Sequence, residues 1–280
     1  MGKIIILVSV GVFQDYIIDN IEQLLLLDYN VHVITNSVFF SKLDVFKNNI
    51  VKVNADQLQW NKNFDNNSKL DKHFRGGFWH NTSKRFFLIY EYIKRNNIKN
   101  ALHIENDVLI YTKLNYDFEN KLYLVMDCKN RCIPSILYIP SYVFLENLIV
   151  HYNYRLNDMI NLAIFYQNNK NIIKTFPIVD NSINNSILNE NYNKFDSIFD
   201  GAAIGQYLGG VDPRNDPGNT IGFVNETCVI KYDKYNFKWL TNEKGKFPYI
   251  EINKKLIPIN NLHIHCKNLK KFGILYNINE

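Results

Sequence analysis

The run ALHIENDVLIY (101–111) sets Glu105, Asn106 and Asp107 among six large apolar side chains. Burying an unpaired carboxylate costs several kcal/mol, so two acids in such surroundings call for a compensating charge, and a divalent cation is the usual one. On extended backbone, positions i and i+2 face one side. At the C-terminal end of a strand that side opens on the cleft where α/β sheets bind ligands. Two carboxylates there form a hard oxygen site for Mg²⁺ or Mn²⁺, and a pyrophosphate can complete the shell. A second alternation lies in LHIHCK (262–267), which puts His263, His265 and Lys267 on one parity. Together they offer an imidazole ligand and a cation that neutralises phosphate; the plain alternative is two partly exposed histidines on a last strand. Arg85 stands near the start of a helical stretch, where anions gather, although a solvated surface arginine is the default. Asp200-Gly201-Ala202-Ala203 places one carboxylate beside three tiny residues. Such residues admit a ligand to the backbone or serve close helix packing.

These residues need elements to hold them. KIIILVSV (3–10) reads as a buried parallel strand. Residues 15–30 carry Ile17, Ile18, Ile21, Leu24 and Leu25 at helical spacing, and VHVIT (31–35) is a second strand. Strand, helix, strand is the opening of an α/β sheet. NIVKV (49–53) is a third strand and 54–80 a loop region. A helix is expected over 82–97, capped by Asn81 or Thr82, with Phe86, Tyr90 and Ile93 on its apolar face. Strands follow at 101–104, 122–127 and 135–140, then helix over 141–169 and partly irregular chain over 170–198. GAAIGQYLGG (201–210) and the turn-forming DPRNDPGN (212–219) lack the GxGxxG fingerprint of dinucleotide sites.

Composition narrows the class. The chain has 280 residues, 46% hydrophobic and 21% charged, which suits one large globular domain in two lobes. Its net charge of +5 is spread without a basic run, so nucleic acid is not expected as a partner. An anionic small substrate fits that mild excess. Cys128, Cys132, Cys228 and Cys266 show no CxxC spacing, and reduced thiols in a cytoplasmic compartment are expected. No stretch approaches the ~20 apolar residues of a membrane span.

In order and spacing these features resemble the GT-A type glycosyltransferases, with their glycogenin-like and galactosyltransferase-like relatives. HIENDVLIY resembles the family's Asp-x-Asp motif, with Glu105 in the first acidic place. PSILYIPSYVFLEN (134–147) and FDGAAIGQYL (199–208) resemble segments around the donor sugar, and LHIHCK the late metal-binding histidine. The resemblance implies a Rossmann-like mixed sheet flanked by helices, with a nucleotide-sugar half (1–112) and an acceptor half (113–280). It implies Mn²⁺-dependent transfer, with Mg²⁺ second, of a sugar from a nucleotide-diphosphate sugar to an acceptor hydroxyl. The donor is a UDP-sugar ahead of a GDP-sugar; the acceptor is a glycan, protein or small molecule. By resemblance Asp107 binds the metal and Glu105 the metal or the donor ribose. His265 is the late ligand with His263 its rival, and Lys267 meets the diphosphate. Arg85 and Asn106 contact the donor, Asn36 lies near the base, and Pro134, Ser135 and Asp200 surround the sugar. The chain departs from the glycogenin-like branch, which carries Asn-Ala-Gly where Ile133-Pro134-Ser135 stands and Asp-Gln-Asp where Asp200-Gly201-Ala202 stands. Retaining and inverting transfer both stay open on this pattern; for an inverting transfer Asp200, with Asp180 behind it, is the candidate base. Two other readings are a sugar-phosphate nucleotidyltransferase and a non-catalytic carbohydrate-binding protein of the same fold. The first wants a basic Gly-rich loop after the first strand, and SVGVFQDY (9–16) has no basic residue.

Overall fold

The computed structural model describes residues 3–183, 187–209 and 236–276. DPRNDPGN and Cys228 lie outside the described residues.

Strand β1 (Ile4–Ser9) sends Ile5 and Leu7 into one apolar layer and Ile6 and Val8 into another, as a strand buried on both faces does. Helix α1 (Ile17–Leu26) lays Ile17, Ile21 and Leu24 into the first layer. Strands β2 (Asn30–Thr35) and β3 (Ile50–Asn54) add in parallel. The region expected as loop contains α2 (Gln59–Asn67). Its start signal is remote in sequence: the Glu91 carboxylate accepts the N–H groups of Gln59 and Trp60, each at 2.9 Å. Helix α3 (Phe78–Asn96) begins four residues before the expected Thr82, after Gly77 at φ 81°. Asn81 is inside it and caps nothing there; its side chain donates to the Gly76 carbonyl at 3.2 Å.

Strand β4 (Ala101–Ile104) runs parallel to β1, and β5 (Val108–Ile110) follows. The expected 122–127 strand is divided into β6 (Leu122–Leu124) and β7 (Met126–Cys128), the latter hairpinned with β8 (Arg131–Cys132). After β9 (Ile136–Ile139) the expected single helix is two, α4 (Val143–Val150) and α5 (Asp158–Asn168). The break is stabilised by Asn157, whose side chain accepts the Ile160 N–H at 3.1 Å. Strand β10 (Ile173–Thr175) and the short α6 (Tyr192–Phe195) punctuate the irregular stretch. The central sheet has the order β10-β6-β9-β4-β1-β2-β3. All its strands run parallel except β9. It is the mixed sheet flanked by helices that the sequence implies.

Strands β11 (Asn236–Asn242), β12 (Gly245–Ile252) and β13 (Lys255–Pro258) form a separate antiparallel sheet. Strand β14 (Asn261–His263) then pairs antiparallel with β5, setting His263 opposite Val108, and α7 (Leu269–Phe272) follows. That pairing brings the late histidine to the acidic turn.

Candidate metal and donor site

β1 is flanked by β2 on one side and β4 on the other. Chain connections depart in opposite directions there, which opens a crevice outside the strand ends. The acids follow β4 at this point, in a turn closed by Val108 N–H on the Glu105 carbonyl at 3.1 Å. The turn, not strand alternation, turns both carboxylates the same way. Asn106 does not face a donor. It is 6% exposed, and its amide donates to the Val8 carbonyl at 2.8 Å and to Gln14. Asn20 in turn donates to the Asn106 carbonyl at 3.0 Å, so this residue ties the turn to β1 and α1.

One ligand atom each from Glu105, Asp107 and His263 lies within 4.8 Å of the other two. His263 Nε2 stands 3.2 Å from Asp107 Oδ1 and 3.6 Å from Glu105 Oε2. Its Nδ1 donates to the Gly201 carbonyl at 2.6 Å, which fixes the ring and turns Nε2 to the acids. Two carboxylates and a backbone-oriented imidazole fit a divalent cation such as Mn²⁺. The ring facing the acids is thus His263, where His265 was the first expectation. Alternation stops because β14 ends at His263 and the chain then turns, with the Lys267 N–H on the Ile264 carbonyl and Lys267 at φ 62°. His265 packs edge-on against His263 at 4.6 Å between ring centres. Lys267 still reaches the site and pairs with Asp107 Oδ2. Burial pushes the Asp107 carboxyl up, but Lys267 and then His263 hold it well below the usual carboxylate range. Burial pushes the His263 imidazole down, but Asp107 and then Glu105 lift it to about 9.

Arg85 is in the third turn of α3, not at its start, and is 6% exposed. Its Nη1 donates to Glu105 Oε1 and its Nη2 to Asp158 Oδ2, both at 2.6 Å. Burial, and less so Glu105, raise the Asp158 carboxyl above its ordinary value against the pull of Arg85. Pro134 and Ser135 are buried behind the acid turn, the Ser135 carbonyl accepting the Glu105 N–H at 3.1 Å. Asn36 lies past β2 on the same edge of the sheet. Its side chain accepts the Gly11 N–H at 2.9 Å and donates to Asp56 at 2.6 Å.

Asp200 is not placed as a base. Its Oδ1 accepts the N–H groups of Ala203 and Ile204 at 2.8 and 3.0 Å. Its Oδ2 accepts those of Gly205 and His263 at 2.7 and 3.0 Å. A carboxylate has about four acceptor positions, all of them filled, and the residue is 1% exposed. Asp200 is a clasp that holds the 200–205 turn to β14. Asp180 accepts a hydrogen bond from the Ser182 hydroxyl at 2.5 Å.

Two participants have little signal in the sequence. Asp158 falls inside a stretch that reads as one continuous helix, and nothing in the sequence marks it as a helix start. Gly201 acts through its carbonyl, which any residue type has.

No protein-family model matches the chain, and no curated protein does. Solved structures similar to it include glycosyltransferases. The PaToxG glycosyltransferase is 12% identical over 60% of this chain and 70% of that one, with a TM-score of 0.40. The galactosyltransferase LgtC, solved with donor and acceptor sugar analogues, is 12% identical over 62% and 73%, at 0.42. A putative glucose-1-phosphate thymidylyltransferase from Bacillus anthracis is 11% identical over 62% and 86%, at 0.37. At these values the likenesses carry no argument about chemistry, and the functional reading rests on the side chains.

Proposed function

We propose that this chain is a glycosyltransferase that uses a divalent cation, Mn²⁺ before Mg²⁺, to move a sugar from a nucleotide-diphosphate sugar to an acceptor hydroxyl. One observation carries the reading: Glu105, Asp107 and His263 Nε2 converge at the switch point of a mostly parallel sheet, with Lys267 beside them. When bound, the cation supplies charge stabilisation to the departing diphosphate. Asp107 and His263 hold it, and Glu105 adds its Oε2. The Lys267 ammonium, half-buried next to Asp107, neutralises phosphate oxygens. Asn36 and the Gly11 turn form the edge on which the nucleoside rests. Donors are UDP-sugars first and GDP-sugars second; acceptors are glycans, proteins or small molecules. Cys128, Cys132 and Cys266 are free thiols, which suits a reducing, cytoplasmic setting. Among the described residues no helix is long and apolar enough to cross a membrane.

The test is a thermal-shift screen with Mn²⁺ and nucleoside di- and triphosphates, followed by donor hydrolysis. The reading expects a shift with Mn²⁺ plus a nucleoside diphosphate and hydrolysis that stops in chelator. A preference for a triphosphate points to nucleotidyl transfer, and no shift at all points to an inert relative of the fold.

A further inference from the structure

We propose that Asp158 is a positioning residue for the metal: acting through Arg85, it keeps one oxygen of Glu105 available to the cation. This rests on the donor-site reading above. Glu105, Arg85 and Asp158 form a buried row on three elements: the end of β4, α3 and the first turn of α5. Their side chains are 15%, 8% and 2% exposed. Arg85 gives one terminal nitrogen to each acid. Its grip on Glu105 therefore takes Oε1 alone and leaves Oε2 facing His263 at 3.6 Å.

A guanidinium beside a single carboxylate prefers to hold both oxygens in a fork. With Asp158 neutral, nothing competes for Nη2 as strongly, and the group turns onto both Glu105 oxygens. Oε2 is then withdrawn from the cation. Asp158 never touches the ion, yet decides whether Glu105 is a ligand. Thr82 Oγ1, 3.4 Å from Asp158 Oδ1, helps fix the acid from the first turns of α3.

Mn²⁺ binding to the whole chain, measured by the paramagnetic signal of the free ion without donor or turnover, tests this, with a melting curve for each variant. Asp158→Asn is expected to lose about ten- to a hundredfold in Mn²⁺ affinity, the range typical of groups that orient ligands. Adding Arg85→Gln to Asp158→Asn removes the fork and is expected to recover part of that loss. A merely structural brace predicts no such recovery. If Asp158→Asn does not fold, Asp158→Glu is read in its place; the longer acid presses the guanidinium towards Glu105 and weakens binding in the same direction. Unchanged Mn²⁺ affinity in Asp158→Asn, or a double variant no better than the single, overturns the inference alone. A wild-type chain that binds no Mn²⁺ overturns the site itself, and the inference with it.

Discussion

Burial disfavours a charged imidazole at His263, and the facing acids Asp107 and Glu105 more than reverse that, to about 9. In the metal-free protein this contributes stability below the ordinary histidine value of 6.5, a contribution lost as the pH rises through about 9. A cation needs the neutral ring, so its binding expels one proton from Nε2. Mn²⁺ affinity is expected to fall about tenfold for each pH unit below that value. Calorimetry in two buffers of different ionisation enthalpy counts the proton, and a count of zero contradicts the assignment of His263. Asp107→Asn removes the counter-charge of both His263 and Lys267. The metal-free variant should melt lower, His263 should titrate nearer 6.5 by NMR, and donor hydrolysis should drop by orders of magnitude. Normal metal dependence in this variant removes Asp107 from the site. The site's ligand types were legible in the sequence because two acids in an apolar run and an alternating His-His-Lys are anomalies of composition. Their use was less so. Asn106 and Asp200 have the right chemistry, yet Asn106 is taken by the Val8 carbonyl and the Gln14 side chain, and Asp200 by three amides of its own turn and the N–H of His263.

At the scale of elements, the 200–205 turn and β14 behave as one unit. Asp200 binds three amides of its own turn and the N–H of His263. Gly205 lies so close that an added Cβ meets the His263 carbonyl oxygen at 2.3 Å and its nitrogen at 2.7 Å. Asp200→Asn trades two amide acceptors for a donor group and should cost about 1.5–3 kcal/mol of stability, lowering the melting temperature whether or not donor is present. A catalytic base predicts the opposite pattern: an intact melting curve with activity gone. Gly205→Ala should cost about 1–3 kcal/mol, because backbone cannot step aside as a side chain does. The starts of α2 and α3 and the break between α4 and α5 were not legible. α2 is capped from Glu91, thirty-odd residues away in sequence, and α3 starts at a left-handed glycine inside a run of aromatics. Buried strands β1, β2, β4 and β9 were legible because burial on both faces leaves short runs dominated by apolar residues, interrupted only by single polar ones such as His32 and His103.

At the scale of the whole molecule, charge is unevenly placed. Residues 236–276 contain eight lysines and two glutamates, while the full chain is only +5. The basic segment includes Lys267, which suits attraction of a diphosphate. The same segment closes the site across the fold: Lys267 and Asp107 are 160 residues apart. An ion shared by Glu105, Asp107 and His263 is then a cross-link over a long loop, and long loops gain most from closure. Limited proteolysis should cut near residues 261–276 more slowly with Mn²⁺ than with chelator; equal rates contradict a metal shared between the acidic turn and β14.

The pairing of β14 with β5 also sets a time. All seven strands of the central sheet lie within residues 4–175, whereas the ion site waits for His263 and Lys267. A chain emerging from the ribosome can therefore complete its sheet while two of the groups that face the ion are still unmade. Its affinity for metal arrives late, so a chain interrupted before residue 261 has every strand of the sheet and lacks the ion site.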